Sequence, residues 1–137
     1  MNCYIATRLE NTAKYCEVRG GLAEIDIGIS YDWTVHGPVW RSGVEKIREV
    51  SIKEFNGVDD SDFCIVILPG GRGTHCELGM ALMAGKHVFI LAETPEVQKM
   101  QYAVPETCAF YHHPLVKWFT CTLDLLAYCQ TFKGTHF

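Results

Sequence analysis

The feature of this sequence that most constrains its fold is a continuous apolar run, Phe63–Leu68, that passes directly into a glycine-rich loop. An apolar run without polar alternation is typical of a strand buried on both faces of a parallel sheet, because helices cover both faces of such a sheet. Residues 74–85 follow the loop with helical spacing of apolar side chains, and Gly85 is a typical helix end. The pattern therefore predicts a buried central strand, a loop and a helix, which form the basic unit of a doubly wound α/β fold.

Further strands and helices are predicted on both sides of this unit. The predicted strands are residues 3–6, 25–31, 87–91 and 108–111. The predicted helices are residues 12–23, which Asn11 or Thr12 would cap, 39–55 and 118–132. Strands that alternate with helices through short loops predict a five-stranded parallel sheet in flavodoxin-like order, within a doubly wound, Rossmann-like three-layer sandwich.

Length and composition predict one globular domain that spans residues 1–137, because 48% hydrophobic residues suffice for a core. The net charge of −4 is small and the basic residues are scattered, which argues against polymeric nucleic acid and anionic membranes as partners. Residues 1–6 lack the pattern of a secretory leader and no apolar run approaches the roughly 18 residues that span a membrane, so neither export nor a membrane span is expected. Seven cysteines without Cys-x-x-Cys spacing are typical of reduced thiols, so a cytoplasmic location is expected.

The loop Gly70–Thr74 lies where doubly wound folds bind ligands, beyond the carboxyl ends of the strands. Its glycines leave backbone N–H groups free to approach a ligand, and the N-terminus of the following helix favours an anion. The loops after the first two strands, residues 7–11 and 32–38, are expected to meet it there. The same stretch has a second interpretation, since Thr74 and Glu77 have the spacing of a capping box, whose two side chains only satisfy backbone amides.

Residues 73–82, Gly-Thr-His-Cys-Glu-Leu-Gly-Met-Ala-Leu, resemble the central motif of the nucleoside 2-deoxyribosyltransferases and their nucleoside 5′-monophosphate N-glycosidase relatives. The resemblance extends to Tyr4 in the first strand and to residues 54–58 before the central strand. It implies cleavage of the N-glycosidic bond of a small nucleoside or nucleotide, with Glu77 as the nucleophile and Tyr4 beside it. It also implies at least a homodimer, in which residues 98–102 are expected to complete the neighbour's site. No cofactor is expected, and no metal either, since Cys108, His112 and His113 lack a fourth ligand at suitable spacing.

This chemistry requires a carboxylate and an acid on opposite sides of the sugar. A carboxylate beneath C1′ stabilises an oxocarbenium-like transition state and forms a covalent glycosyl intermediate. Glu77 is expected to be ionised for this step, because its predicted place in the first helical turn lets the helix dipole favour an anion. The resemblance places the acid eight residues before Asp62, which is Glu54, and this carboxyl is expected to protonate the leaving base.

Two departures from the transferase motif bear on the substrate. Gly71 stands six residues before Glu77, where relatives that act on free nucleosides have an aspartate near the sugar 5′-hydroxyl, and the short loop carries Arg72. Both features favour a nucleoside 5′-monophosphate, whose phosphate would bind the amides of Gly71, Gly73 and Thr74 and a charged donor, Arg8 or Arg72. The expected substrate-binding residues are Thr7, Arg8, Gly70, Gly71, Arg72, Gly73 and Thr74.

Two other functions are compatible with the same residues. The Pro-Gly-Gly-x-Gly-Thr loop also resembles that of the phosphoribohydrolases that activate cytokinin nucleotides, although that family has a second glutamate where Leu78 follows Glu77 here. The chain could instead be a non-catalytic nucleotide-binding or sensor module, in which the loop holds phosphate and Glu77 only caps its helix. The sequence leaves open whether water or a second base accepts the sugar.

Overall fold

The computed structural model describes residues 1–136 and contains the expected five-stranded parallel sheet, with the strand order β2-β1-β3-β4-β5. The strands are β1 (Asn2–Ala6), β2 (Gly28–Ile29), β3 (Phe63–Ile67), β4 (His87–Leu91) and β5 (Val116–Phe119). The α-helices are α1 (Thr12–Glu24), α2 (Val44–Asp60), α3 (Arg72–Met83), α4 (Pro95–Gln98) and α5 (Thr122–His136). The predicted fold class, a doubly wound parallel sheet in flavodoxin-like order, is confirmed.

Helices cover both faces of the sheet, as the apolar central strand predicts. α1 packs against α5, and α2 packs against α3. Every residue of β3 is buried. Phe63 of β3, Phe89 of β4 and Phe132 of α5 form an aromatic cluster, with ring centroids 5.2 to 5.3 Å apart. The core therefore extends through the sheet, and β3 lies at its centre.

The edge strand β2 is shorter than its predicted range of 25–31. The helix α1 continues to Glu24, and Asp26 then adopts a left-handed conformation with φ of 58°. The alternating residues at 25–27 therefore belong to the turn that ends α1, and only residues 28–29 join the sheet.

The predicted fifth strand at 108–111 is wrong. These residues lead into a turn of 3-10 helix, Ala109–His112, that buries Tyr111. The strand β5 follows this turn, so the closing helix α5 begins at Thr122, later than predicted. β5 pairs with β4 alone and carries the exposed Lys117, and it therefore lacks the continuous apolar run of a central strand.

The helix α2 begins later than its predicted start at residue 39. Gly43 has φ of 91°, in the left-handed region, and separates a 3-10 turn at Trp40–Ser42 from the helix. α2 then extends past its predicted end at Phe55. Glu54 consequently lies inside a regular helix that faces the sheet, and not at a helix end.

Side-chain hydrogen bonds hold the loop after β1 against the glycine-rich loop after β3. The Thr7 hydroxyl donates to the carbonyl oxygen of Ile67 at 2.8 Å. Asn11 donates from Nδ2 to Thr7 Oγ1 at 2.9 Å and to the carbonyl oxygen of Pro69 at 2.8 Å. Asn11 therefore joins the two loops, and its side chain does not cap α1 as predicted.

Candidate active site

A cavity of about 510 Å³ opens at the carboxyl ends of the central strands. Of the residues predicted to bind or act on substrate, those that line it are Thr7, Arg8, Glu54, Gly70, Gly71, Gly73, Thr74 and Glu77. Leu9, Glu10 and Trp33 also line it; they lie in the two loops expected to meet there but are not among the predicted site residues. The volume suits a small molecule, and the position is where doubly wound folds bind ligands.

Glu77 lies in the cavity wall, and the residue is only 7% exposed. Its Oε2 atom accepts a hydrogen bond of 2.6 Å from the Tyr4 hydroxyl. The capping-box interpretation is wrong, because the backbone N–H of Gly71 donates to the Thr74 hydroxyl at 3.0 Å and Glu77 takes no part in the cap. The carboxyl of Glu77 is therefore available to a ligand in the cavity.

Tyr4 lies behind Glu77, fully buried in the middle of β1, and it does not line the cavity. Its ring packs against α2 at Gly57. A Cβ atom on that glycine would come within 2.7 Å of Tyr31 Cβ and 3.0 Å of Tyr4 Cε2. Gly57 therefore lets α2 approach β1 closely enough to fix the tyrosine, a role that no local pattern around residue 57 indicates.

The two carboxyl groups of the cavity are electrostatically coupled. Burial raises the pKa of Glu77 well above the usual range of glutamate; the Tyr4 hydrogen bond lowers it, and the charge of Glu54 raises it. Burial also raises the pKa of Glu54. Because α3 begins at Arg72, Glu77 lies in the second helical turn, and the expected stabilisation of its anion by the first turn is absent. Glu54 and Glu77 can carry two protons between them, and the second of these is therefore lost less readily than the first.

Tyr4 stays protonated and acts only as a hydrogen-bond donor. Burial raises the pKa of its phenol far above the usual range of tyrosine, and the adjacent charge of Glu77 raises it further. A neutral donor at this position favours the ionised form of Glu77 over the protonated form. Burial and Tyr4 thus act on the carboxyl in opposite directions.

The glycine-rich loop presents fewer free amides than predicted. The N–H of Gly71 is occupied by Thr74, whereas the hydrogen bonds of residues 1–136 leave the N–H groups of Gly73 and Thr74 without an acceptor. Glycine at position 70 avoids a steric clash, because a Cβ atom there would lie 2.7 Å from Thr74 Cγ2. A ligand anion can therefore be held by Gly73 and Thr74, but not by Gly71.

The structure separates the two arginines that the sequence offered as charged donors. Arg8 lies on the cavity rim, where its Nε atom is 3.8 Å from Glu10 Oε2. Arg72 lies on the other side of the loop, in a groove that also contains His75 and Phe110. Arg8 therefore lines this cavity, and Arg72 lines the neighbouring groove.

The segment 98–102, expected to reach a neighbouring subunit, does not line the cavity of its own chain. The Gln98 amide is used internally and donates to the carbonyl oxygen of Ala92 at 3.0 Å. The Tyr102 side chain is 65% exposed. The role of this segment in a neighbour's site stays a prediction.

The fold and the cavity together define a doubly wound α/β protein with a carboxyl pair at the carboxyl ends of its strands. No protein-family model and no curated protein matches the sequence. Among solved structures, a CMP N-glycosidase of Clostridium botulinum, BcmB, has a similar fold, with a TM-score of 0.59 over 94% of this chain and 98% of that chain. The sequences are 16% identical, so the likeness concerns the fold. None of the helices within residues 1–136 combines the length and apolar character that crossing a membrane demands.

Proposed function

We propose that this protein cleaves the N-glycosidic bond of a nucleoside 5′-monophosphate or a (deoxy)nucleoside through a covalent glycosyl-Glu77 intermediate. The observation that carries the proposal is a buried carboxyl, Glu77, that faces a ligand-sized cavity while Tyr4 holds one of its oxygens at 2.6 Å. A second carboxyl, Glu54, lines the same cavity. Nucleophile, orienting donor and acid are the groups that a retaining glycosidase needs.

In the first step the bond between C1′ and the base nitrogen breaks as Glu77 attacks C1′. Tyr4 holds Oε2, and Glu54 also lies within hydrogen-bonding reach of this carboxyl. Oε1 is the oxygen proposed to form the new bond. Burial makes the free carboxylate costly, but the positive charge that develops on the sugar offsets this cost. Glu77 therefore interacts more strongly with the charged sugar of the transition state than with the neutral sugar of the bound substrate, which is the condition for catalysis.

Glu54 supplies the proton that the leaving base takes up. Burial raises its pKa, so that it keeps a proton at higher pH than an exposed glutamate. In the second step, water or another base attacks C1′, the bond to Glu77 breaks, and Glu54 takes back a proton from the attacking group. Hydrolase and transferase differ only in that acceptor.

A 5′-phosphate is proposed at the glycine-rich loop. The free amides of Gly73 and Thr74 begin a 12-residue helix, and Arg8 lies on the same rim. Binding phosphate would displace Arg8 from its long contact with Glu10. BcmB, which shares the fold, acts on a nucleotide.

The test is incubation of the protein with a panel of ribo- and deoxyribonucleosides and their 5′-monophosphates, with and without a free acceptor base. Chromatography of released base identifies a hydrolase, and formation of a new nucleoside identifies a transferase. A 2′-fluoro-arabino analogue should add its sugar mass to the intact protein, and Glu77→Gln should abolish both turnover and this adduct. Ligand binding without cleavage by the unaltered protein would contradict the proposal and favour the binding-module alternative.

A further inference from the structure

His36 is a half-buried histidine in the connection between β2 and α2, and it has no role in the mechanism so far. Its ring stacks on Tyr31, with centroids 6.1 Å apart and an angle of 27° between the planes. Its Nδ1 atom lies 2.8 Å from the carbonyl oxygen of Gly37. Because a carbonyl oxygen only accepts, Nδ1 carries a hydrogen, and the neutral ring has its lone pair on Nε2.

The Nε2 atom of His36 is buried and has no hydrogen-bond partner within residues 1–136. A buried nitrogen without a partner is rare in folded proteins and carries a desolvation cost, so its presence calls for a physical reason. It lies 4.0 Å from Oε1 of Glu54, the carboxyl proposed to protonate the leaving base. Contacts between catalytic groups are often long in empty sites and shorten when substrate binds.

Several other titratable or charged groups surround this pair, but Glu54 is the carboxylate within ion-pair distance of His36 in the part of the chain that is described. Glu77 on α3 and Tyr4 on β1 are electrostatically coupled to Glu54, and Arg8 lines the same cavity. Tyr31, which stacks on His36, is influenced by the charges of Asp32, Glu49 and Lys53. An imidazolium at this position would lower the pKa of Glu54, so a proton shared by the two groups rests on the histidine side of the pair.

We propose that His36 is a positioning residue that shares one proton with Glu54, so that this pair retains the proton needed by the leaving base at neutral and mildly alkaline pH. The inference rests on the proposed function. Imidazole is the side chain that changes charge near neutral pH, whereas an isolated glutamate is ionised there. Loss of the pair's proton, and not of a glutamate proton alone, would then limit activity at high pH.

The His36–Glu54 pair holds the same number of protons before and after one turnover. Glu54 gives the shared proton to the base nitrogen as the C1′–N bond breaks and the bond from C1′ to Glu77 forms. Water then attacks C1′, the bond to Glu77 breaks, and one proton of that water returns to Glu54. The pair again holds one proton, and no other reactant is required.

The first test compares His36→Asn with the unaltered protein in the pH dependence of kcat. The asparagine amide can still donate to Gly37, but it has no atom that replaces Nε2. The alkaline limb should move to lower pH by about one unit, kcat at pH 8 should fall about tenfold, and KM should change much less. His36→Gln, which reaches towards Glu54 but takes up no proton, should give the same shift and covers the case in which His36→Asn folds poorly.

The second test uses a substrate whose base needs no proton, an N7-methylated purine nucleotide with a cationic leaving group. Both His36 variants should cleave it at nearly the rate of the unaltered protein. The matched control is His87→Asn at the amino end of β4, at the opposite end of the strands from the cavity, which should leave the alkaline limb unchanged.

The outcomes separate this inference from the function on which it rests. An unchanged alkaline limb, or an equal loss with the methylated and the ordinary substrate, would overturn the role of His36 while Glu77-dependent cleavage stands. Absence of Glu77-dependent cleavage in the unaltered protein would instead overturn the proposed function.

Discussion

At the residue scale, two opposing influences act on the pKa of Glu77. Burial favours its neutral form, whereas the hydrogen bond from Tyr4 favours its anion. Replacing Tyr4 by phenylalanine removes only the second influence, so the pKa of Glu77 should rise and the acidic limb of kcat/KM should move to higher pH. Loss of a hydrogen bond to a charged group costs about 1.5–3 kcal/mol, which is roughly 10- to 150-fold in kcat/KM at neutral pH.

The control for this prediction is Tyr15→Phe, because Tyr15 is an equally buried tyrosine on α1. It should leave the acidic limb in place. If Tyr4→Phe were as active as the unaltered protein over the whole pH range, the hydrogen bond to Glu77 would have no part in catalysis.

Glu54 acts on Glu77 in the same direction as burial, since a neighbouring negative charge opposes ionisation. Glu54→Gln should therefore lower the pKa of Glu77 and move the acidic limb of the residual activity to lower pH, opposite to Tyr4→Phe. The rate should also fall by about 10² to 10⁴, the usual contribution of a general acid. Steady-state kinetics across the pH range measure both effects. A shift in the same direction for both variants would show that the two groups do not act on one carboxyl.

The raised pKa of Glu77 also links stability to pH. The folded protein binds this proton more tightly than the unfolded chain does, so the contribution is fully present below pH 4.5 and is lost as pH rises through the raised value. Glu77→Gln cannot ionise, and it should therefore match the unaltered protein near pH 4 and exceed it in melting temperature by a few degrees at pH 9. Glu24→Gln, at an exposed carboxylate, is the control and should show no such divergence.

At the element scale, the approach of α2 to β1 depends on Gly57. A Cβ atom there would collide with Tyr31 and Tyr4, so Gly57→Ala should cost about 1–3 kcal/mol in the free energy of unfolding. Gly20→Ala is the matched control, because this helical glycine on α1 has nothing within 4 Å of the added Cβ atom. It should stabilise the protein by about 0.4–1 kcal/mol. Chemical denaturation measures both values, and equal stabilisation by the two variants would contradict the close packing.

The elements that the sequence predicts well are those whose burial is uniform. β1, β3 and β4 lie inside the sheet, and their continuous apolar runs mark them to within a residue. The edge strands carry no such run: β2 is shortened by the left-handed turn at Asp26, and β5 contains Lys117. The start of α2 depends on the φ angle of Gly43, a backbone property that hydrophobic periodicity does not encode.

At the scale of the whole molecule, the sequence predicts only part of the site. Glu77 and Tyr4 were selected through a family resemblance, and the fold brings them together across 73 positions of the chain. His36, Asn11 and Gly57 were missed as site-supporting residues, because each acts through a contact that only the folded chain creates. Arg72 belongs to the glycine-rich loop, yet it lines the neighbouring groove and not the cavity.

The molecule also exposes an apolar surface on α2 and α3, the two helices that carry Glu54 and Glu77. Its exposed side chains are Ile52, Phe55, Met80 and Met83, and an apolar groove of about 410 Å³ runs between the helices. A contiguous exposed apolar surface commonly marks an interface. We therefore expect a homodimer whose subunits pack through these helices, since a two-fold axis pairs one patch with its own copy.

Met83 is the most exposed of these side chains, at 91%, and Met83→Asp should place a charge in the interface and shift the protein to a monomer. Leu123→Asp introduces the same charge at an 80% exposed position on α5, on the other face of the sheet, and should leave the dimer intact. Light scattering coupled to size-exclusion chromatography measures the mass of each variant. Dissociation by Tyr102→Asp but not by Met83→Asp would assign the interface to residues 98–102 instead, and a monomeric unaltered protein would exclude both surfaces.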